Sequence, residues 1–438
     1  MDSKLTTVFN YILDFLLHDK RLKNKVVYSK SISTDVPITI IASTFFDEET
    51  YLTEKSIPDL PLQEWHGIPL LFGSPREEIV DGRLIIYADI VASSFFLLTR
   101  YEECVNRKDR DIHGRFTGRF SLPGKAGFLE RPIVDEYRRQ LQRCMRTIGI
   151  DVPENRSDFS HIYLTHDVDQ IWQWDNLFRA VRTFSKKLLY RMPDKTESLR
   201  AWMDYKKWDK IYTFPYFHNR YMEMLQQVGA DKISEIYFLK GGGNTQYDNL
   251  YYKNKKRTVS LIRYLQCNGA FLGMHASYSS GENPALIASE KEYLEELSGS
   301  DITMNRNHYL DSREPEDMEF LIRAGIKDDF TMGYADTAGF RIGTSRPVQW
   351  INPQKLEVTN LTLHPMTVME CTLDTKNYMG LSYDEAYETV KQLLIQIKQH
   401  NGEVVLLWHN TSVANERKSY QRRLYDNVLQ LLLDMIRQ

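Results

Sequence analysis

The amino-acid sequence predicts an α/β protein: a closed or nearly closed β/α barrel of about seven strands over residues 156–438, preceded by a smaller α/β domain over residues 1–155. Three observations lead there. The chain has 438 residues, more than one ordinary core supports at about 150 residues per domain, although a barrel of roughly 250 residues can stand as a single unit. At residues 151–160, "DVPENRSDFS", a proline and a cluster of polar turn formers separate a helical pattern from an apolar strand. Beyond that break, apolar strand candidates alternate with amphipathic helices, the pattern of parallel strands joined by crossover helices.

The first element, "MDSKLTTVFNYILDFLL", spaces Val8, Ile12, Phe15 and Leu16 along one helical face. Asp14 interrupts its apolar stretch and no small-residue cleavage site follows, so it reads as an amphipathic helix and not as a signal peptide. No run of about 20 apolar residues offers a membrane span, and a cytoplasmic location is the expectation. "VPITIIAST" and "RLIIYADIVASSFFLLTRYEE" then supply short strands and a helix, while "EWHGIPLLFGS" carries the punctuation of turns. The charged stretch "RYEECVNRKDRDIHGRF" reads as a solvated helix end and loop, or as a loop packed near the second domain's site.

In the second domain, strands are expected in "HIYLTHD", "SEIYFLKG", "GAFLGMH", "SDITMNRNHY", "DFTMGYAD", "LTLHPMTVM" and "EVVLLWHN". Helices are expected in "KRTVSLIRYLQ", "SEKEYLEELSG", "PEDMEFLIRAG" and "YDEAYETVKQLLIQIKQH". Lysine and arginine total 56 against 59 acidic residues, a formal charge of -3. No global field is available to hold a polyanion, so nucleic acid is not an expected partner. Cys104, Cys144, Cys267 and Cys371 are scattered without a CxxC pair and read as reduced core thiols.

The chemistry gathers at strand ends, where the loops of a β/α barrel build its active site. The first strand ends in Asp167 and Asp169, the third in His275, the fourth in Arg306 and His308, and the fifth in Asp336 with Arg341 just beyond; His364 lies on another, and His409 and Asn410 end the last. A single histidine at such a place is usually a hydrogen-bonded structural residue. Several together with carboxylates make a donor set suited to zinc or another divalent first-row ion, which would polarise a carbonyl and acidify a bound water. Residues two apart on a strand share a face, so Asp167 and Asp169 can address one centre, with a cation holding both charged. Alternatively, one of them caps a following helix. Tyr278, Tyr309, Tyr334 or Trp408 could stack on a sugar, although most aromatic side chains fill cores. "KGGGNTQYDN" lacks the lysine-serine ending of a P-loop and reads as a mobile substrate-facing loop.

These residues resemble a known family. "LTHDVD", then "LGMHASYSS" about a hundred residues on, "MNRNHYL" and finally "LLWHN" look like the polysaccharide deacetylases, carbohydrate esterases that remove N-acetyl groups from sugars. The resemblance covers about residues 160 to 415, and "TMGYADTAGFRIGT", "LHPMTVME" and "LLWHNTS" resemble a bacterial surface-polysaccharide branch with an additional N-terminal domain. It implies a distorted β/α barrel and a metal-dependent hydrolase, with Asp167 as catalytic base, Asp169 and His275 as metal ligands, and His409 as the acid that protonates the leaving amine. Arg306, Tyr309, Asp336, Arg341, His364 and Trp408 are the candidate substrate-binding residues.

The sequence departs from the family at Ser279, where a second ligand histidine stands four positions after the first. Another histidine completes the shell, the metal is held weakly through water, or none is bound; His308 is the leading replacement. The expected substrate is an acetylated sugar or glycan precursor such as a nucleotide- or lipid-linked sugar. The rival readings are an altered barrel that binds a glycan without metal, a metal-free glycoside hydrolase using Asp167 and a carboxylate such as Asp336 about 5–9.5 Å away, and a hydrolase of a small amide.

Overall fold

The computed structural model describes residues 3–154, 156–174, 176–229, 231–414 and 420–437. Asn155, the last residue of the expected first domain, lies outside them. The chain opens with the helix Ser3–Leu17, whose Val8, Phe9, Ile12, Leu13, Leu16 and Leu17 are buried at the expected helical spacing. Six strands follow: β1 (Val26–Ser29), β2 (Ile38–Ile41), β3 (Gln63–Trp65), β4 (Ile68–Leu70), β5 (Gly73–Val80) and β6 (Arg83–Ala88). They form a four-stranded sheet in the order β1-β2-β6-β5 and a separate β3–β4 hairpin. The hairpin turns on His66 and Gly67, both with positive φ (54° and 77°), the backbone of a tight two-residue hairpin turn. Asp89 caps the helix Ile90–Leu98 by accepting from the Ala92 amide (2.8 Å), and all nine residues of that helix are buried.

The second half carries nine strands: β7 (His161–Val168), β8 (Ile233–Leu239), β9 (Phe271–Ala276), β10 (Met304–Asn307), β11 (Asp328–Met332), β12 (Val348–Asn352), β13 (Glu357–Pro365), β14 (Val368–Met369) and β15 (Glu403–Leu407). All seven strands expected from the sequence are present. The count rises to nine because β12 folds back antiparallel on β13 at one edge, and the two-residue β14, too short to show any periodicity, pairs with β15 at the other. The order is β12-β13-β11-β10-β9-β8-β7-β15-β14, parallel except for β12. No pairing joins its two ends among the described residues, so this is a curled, open sheet and not a closed barrel.

Side chains bridge the curl from inside. The rings of Tyr163, Phe238, Phe330 and His364 meet there, His364 stacking on Phe330 at 4.2 Å. His364 Nδ1 lies 2.9 Å from Glu403 Oε1 on β15, and Nε2 lies 3.3 Å from Asp328 Oδ1 on β11. Among the described residues no helix is long and apolar enough to cross a membrane. Of the four free cysteines, Cys104 and Cys144 are buried as expected, whereas Cys267 is exposed and Cys371 only partly covered.

The His364 cluster makes stability depend on pH. Burial pulls the imidazole down, but Glu403 and Asp328 outweigh it and push its pKa up to about 9. A group raised on folding contributes fully below its unfolded value of about 6.5, and its contribution is lost as pH rises through the folded value. Burial of Glu403, which pushes that carboxyl up, offsets part of the gain. Urea unfolding should therefore show the wild type losing on the order of 1–2 kcal/mol between pH 6.5 and 9.5, and His364→Gln should lose markedly less over the same range. Parallel pH profiles of the two proteins would overturn this account.

Candidate active site

On β7, Ile162, Leu164 and Val168 are buried in the main core, while Tyr163, Thr165 and Asp167 alternate with them. Continuing the alternation one residue past the strand places Asp169 on the side of Asp167. His166 belongs to the other side. It packs between Phe217 and Tyr237 (ring centroids 3.9 and 4.9 Å), and its Nδ1 donates to the Trp408 carbonyl at 2.9 Å. Burial pushes its pKa down to about 4, so it is a neutral core residue.

Asp167 is buried and shares a fixed cation with its own strand. Arg306 Nη1 of β10 donates to Asp167 Oδ1 at 2.9 Å and to Thr165 Oγ1 at 2.8 Å, while Nε donates to the Phe330 carbonyl at 3.0 Å. Its guanidinium lies 4.5 Å from the Phe238 ring centroid. Burial alone would raise the Asp167 carboxyl, but His275, Arg306 and His409 hold it below the ordinary aspartate value. Arg306 is thus a positioning residue beneath the site, without exposure for substrate.

Asp169, His275 and His308 converge, each offering one ligand atom within 4.8 Å of the others. Asp169 Oδ1 lies 3.1 Å from His308 Nε2 and 3.5 Å from His275 Nε2. The Nδ1 of His275 donates to the Arg306 carbonyl at 2.9 Å, leaving the Nε2 lone pair facing the carboxylate, and burial lowers the pKa of this imidazole so that it stays neutral. His308 is presented by a sharp turn: Tyr309 and Leu310, next along the chain, both take positive φ (62° and 55°), a strained arrangement that ends β10 abruptly. Behind it, Nδ1 of His308 lies 3.5 Å from Asp248 Oδ1.

Ser279 does not face this cluster. Its Oγ lies 2.9 Å from both Asp248 Oδ2 and Asn244 Oδ1, with one proton to give between them, so it helps fix the carboxylate that backs His308. The glycines of the "KGGGN" stretch answer to the same packing. A Cβ on Gly241 would meet the Glu290 carbonyl at 2.0 Å, and one on Gly243 would meet Asp248 at 2.5 Å. Close approach accounts for the glycines at those two positions.

His409 follows β15, with Nε2 3.7 Å from Asp169 Oδ2. Its Nδ1 and its backbone amide both lie 2.8 Å from Oε1 of the fully buried Glu370, which also accepts from Ser412 Oγ. Burial would lower the His409 pKa, but Glu370 raises it well above the ordinary histidine value.

These groups line a cavity of about 450 Å³ that also receives Lys240, Arg115, Tyr247, Tyr309 and Tyr378. Arg115 brings in the charged loop of the first 150 residues: Nη1 donates to the Tyr309 carbonyl at 2.9 Å and Nη2 to the Tyr378 hydroxyl at 3.1 Å. Of the six expected substrate-binding residues, Tyr309 alone lines this cavity. Asp336 instead accepts from the Gly118 amide at 2.8 Å and from Arg119. Arg341 donates to Glu103 at 2.8 and 3.0 Å, and Tyr334 packs beneath it. His364 belongs to the bridge described above, and Trp408 is fully buried, donating to the Gln421 carbonyl. Asn410 donates to the carbonyls of Gln170 and Ile211.

Lys240, Asp248, Glu370 and Arg115 were not foreseen as site residues. Lys240 carried a usable signal, since it follows directly on β8 as the other candidates follow their strands. Glu370 closes "LHPMTVME" but offers no pattern of its own. Removing the Arg306 guanidinium leaves Asp167 as an uncompensated buried charge, so Arg306→Met should lose about 3–5 kcal/mol in urea unfolding. A loss below about 1 kcal/mol would show that Asp167 does not depend on it.

Residues 3–149 match the model of a family described as a family of unknown function, DUF7033. No curated protein matches the chain. Among solved structures, the chain is similar to a protein of Mycobacterium smegmatis assigned as a polysaccharide deacetylase, at 14% identity and a TM-score of 0.38, covering 66% of this chain and 93% of that one. It is also similar to a mutant of a CE4 family pseudoenzyme with restored enzymatic activity, at 11% identity and a TM-score of 0.28, covering 65% of this chain and 66% of that one.

Proposed function

We propose that this chain is a metal-dependent hydrolase of the polysaccharide-deacetylase type, removing an N-acetyl group from a sugar or polysaccharide precursor in surface-polysaccharide metabolism. The observation that carries the reading is the convergence of Asp167, Asp169, His275, His308 and His409 on one cavity. The sequence resemblance supplies the substrate class. The donor set suits a divalent ion: His275 Nε2 and Asp169 Oδ1 are buried side by side, and neither makes an aligned hydrogen bond among the described residues. Asp169, His275 and His308 would hold it, and zinc, when bound, supplies an electrophile for the acetyl oxygen and acidifies water.

The chain's own residues divide the remaining work. Asp167, fixed through Oδ1 by Arg306, presents Oδ2, 3.7 Å from His275 Nε2, to take a proton from the attacking water. His409, oriented through Nδ1 by Glu370, presents Nε2 toward the cavity to give a proton to the departing nitrogen. Tyr247 and Tyr309 offer faces on which a sugar ring can stack. Asp336, occupied by the Gly118 amide and Arg119, gives a glycosidase pair with Asp167 no support. The reading as a metal-free glycan binder is favoured by one feature, the ammonium of Lys240 beside the proposed ligands.

Protein purified without chelator or nickel should contain near-stoichiometric divalent metal by elemental analysis, and His275→Ala and His308→Ala should lose it. Acetate release from N-acetylated sugar oligomers should stop with chelator and return with zinc. Asp167→Asn should keep the metal and lower acetate release roughly 10²–10⁴-fold. A wild type that takes up no zinc or cobalt and releases no acetate would overturn the proposal.

A further inference from the structure

Lys240 is 1% exposed, and its Nζ sits 3.1 Å from Asp169 Oδ1 and 3.1 Å from His308 Nε2. These are two of the three atoms assigned above to a divalent ion. We propose that the Lys240 ammonium is a built-in cation of this site, which a divalent ion must displace from Asp169 and His308 in order to bind. The inference rests on the metal reading of the same cluster and deepens it by naming what controls occupancy.

Charge balance is the first argument. Asp167 already has Arg306 at 2.9 Å and Asp169 has Lys240 at 3.1 Å. Before any metal arrives, the one carboxylate of the cluster left without a lysine or arginine among the described residues is thus Asp248, behind His308, a single charge against the two an ion would bring. A divalent ion added to that set overcharges it. Geometry is the second argument. The two contested atoms are 3.1 Å apart, so an ion bonded to both at roughly 2.1 Å lies at most about 4 Å from Nζ, and much closer if it enters from the same side. Two cations at that separation in a buried site repel strongly.

The third argument is that the lysine is held in place. Its amide donates to the Tyr251 hydroxyl at 2.8 Å. The glycines that follow are locked against Glu290 and Asp248, since a Cβ on Gly242 would meet Glu290 at 2.5 Å. The side chain can withdraw from Asp169 by rotating its own bonds, but the backbone that carries it cannot swing away without losing this packing. Lys240 thus keeps Asp169 paired in the metal-free chain and opposes the ion when it comes.

The test is titration of metal-stripped wild type, Lys240→Met and Lys240→Arg with zinc chloride by calorimetry, and with cobalt chloride by visible absorption, alongside thermal unfolding with and without zinc. We expect Lys240→Met to bind at least tenfold more tightly than the wild type, and Lys240→Arg, which keeps the charge, to stay within about threefold of it. Without metal, Lys240→Met should melt below the wild type, and zinc should raise its Tm by more. Tight and equal binding in wild type and Lys240→Met would overturn the inference while leaving the metal site standing, as would weaker binding in Lys240→Met. No binding by any of the three proteins would overturn both this inference and the metal reading. If Lys240→Met does not fold without metal, Lys240→Gln replaces it in the same titration with the same expected tenfold gain.

Discussion

Two carboxylates on one face at the end of one buried strand set the terms for the rest of the site. Asp167 and Asp169 cannot both stay ionised in a low-dielectric interior unless each is given a cation, because desolvation and mutual repulsion both favour the neutral acids. Arg306 answers for Asp167 and Lys240 for Asp169. Those partners come from β10 and from the residue after β8, so the electrostatic requirement fixes which strand ends must approach β7. His275, on the strand between them, pairs in register with Arg306 and spends its Nδ1 on the Arg306 carbonyl. Register, tautomer and charge are therefore one arrangement.

The same requirement recurs where the first 150 residues meet the nine-stranded sheet. Asp135, fully buried, accepts from Thr344 Oγ1, the amide and hydroxyl of Ser345, and Arg346 Nε, at 2.7–2.9 Å. Glu103 receives Arg341 and Arg100, and Arg100 also pairs with the buried Glu314. Breaking such a pair costs more than forming it gains, so these contacts resist sliding of one part over the other. They hold Arg115 where it reaches the cavity, and Asp336 anchors the same loop at Gly118. The early part of the chain thereby becomes a wall of the site.

Local periodicity made the seven parallel strands and four of their helices legible, because each buries a continuous apolar run or stripe that shows in the sequence, but it did not give the helices Leu177–Leu189, Phe214–Val228 and Tyr420–Arg437. It missed β12, an edge strand defined by its antiparallel return on β13, and it ran β13 and the two-residue β14 together as one strand, although β14 leaves β13 to pair with β15. The site was legible where chemistry sits at a strand end, as with Asp167, Asp169, His275, His308 and His409. The same rule misled for Arg306, Asp336, Arg341 and His364, because a strand-end residue can pair sideways or inward as readily as it faces the opening. His364 lies on the interior bridge to Glu403 and Asp328, and Arg341 crosses to Glu103.

The sequence by itself determined the alternation of elements and the placing of Asp167 and Asp169 on one face, since both follow from spacing along the chain. It also determined that Ser279 could not serve as an imidazole ligand. Only the tertiary structure decided which side chains meet Asp169. His308 closes on Asp169 because Tyr309 and Leu310 turn the chain sharply after β10, and Ser279 turns away to hold Asp248 behind it. It also decided that Lys240 and Arg306 share out the two charges and that Glu370 orients His409. Those contacts join residues some 40 to 140 positions apart, and such distances are set by packing, on which sequence spacing is silent.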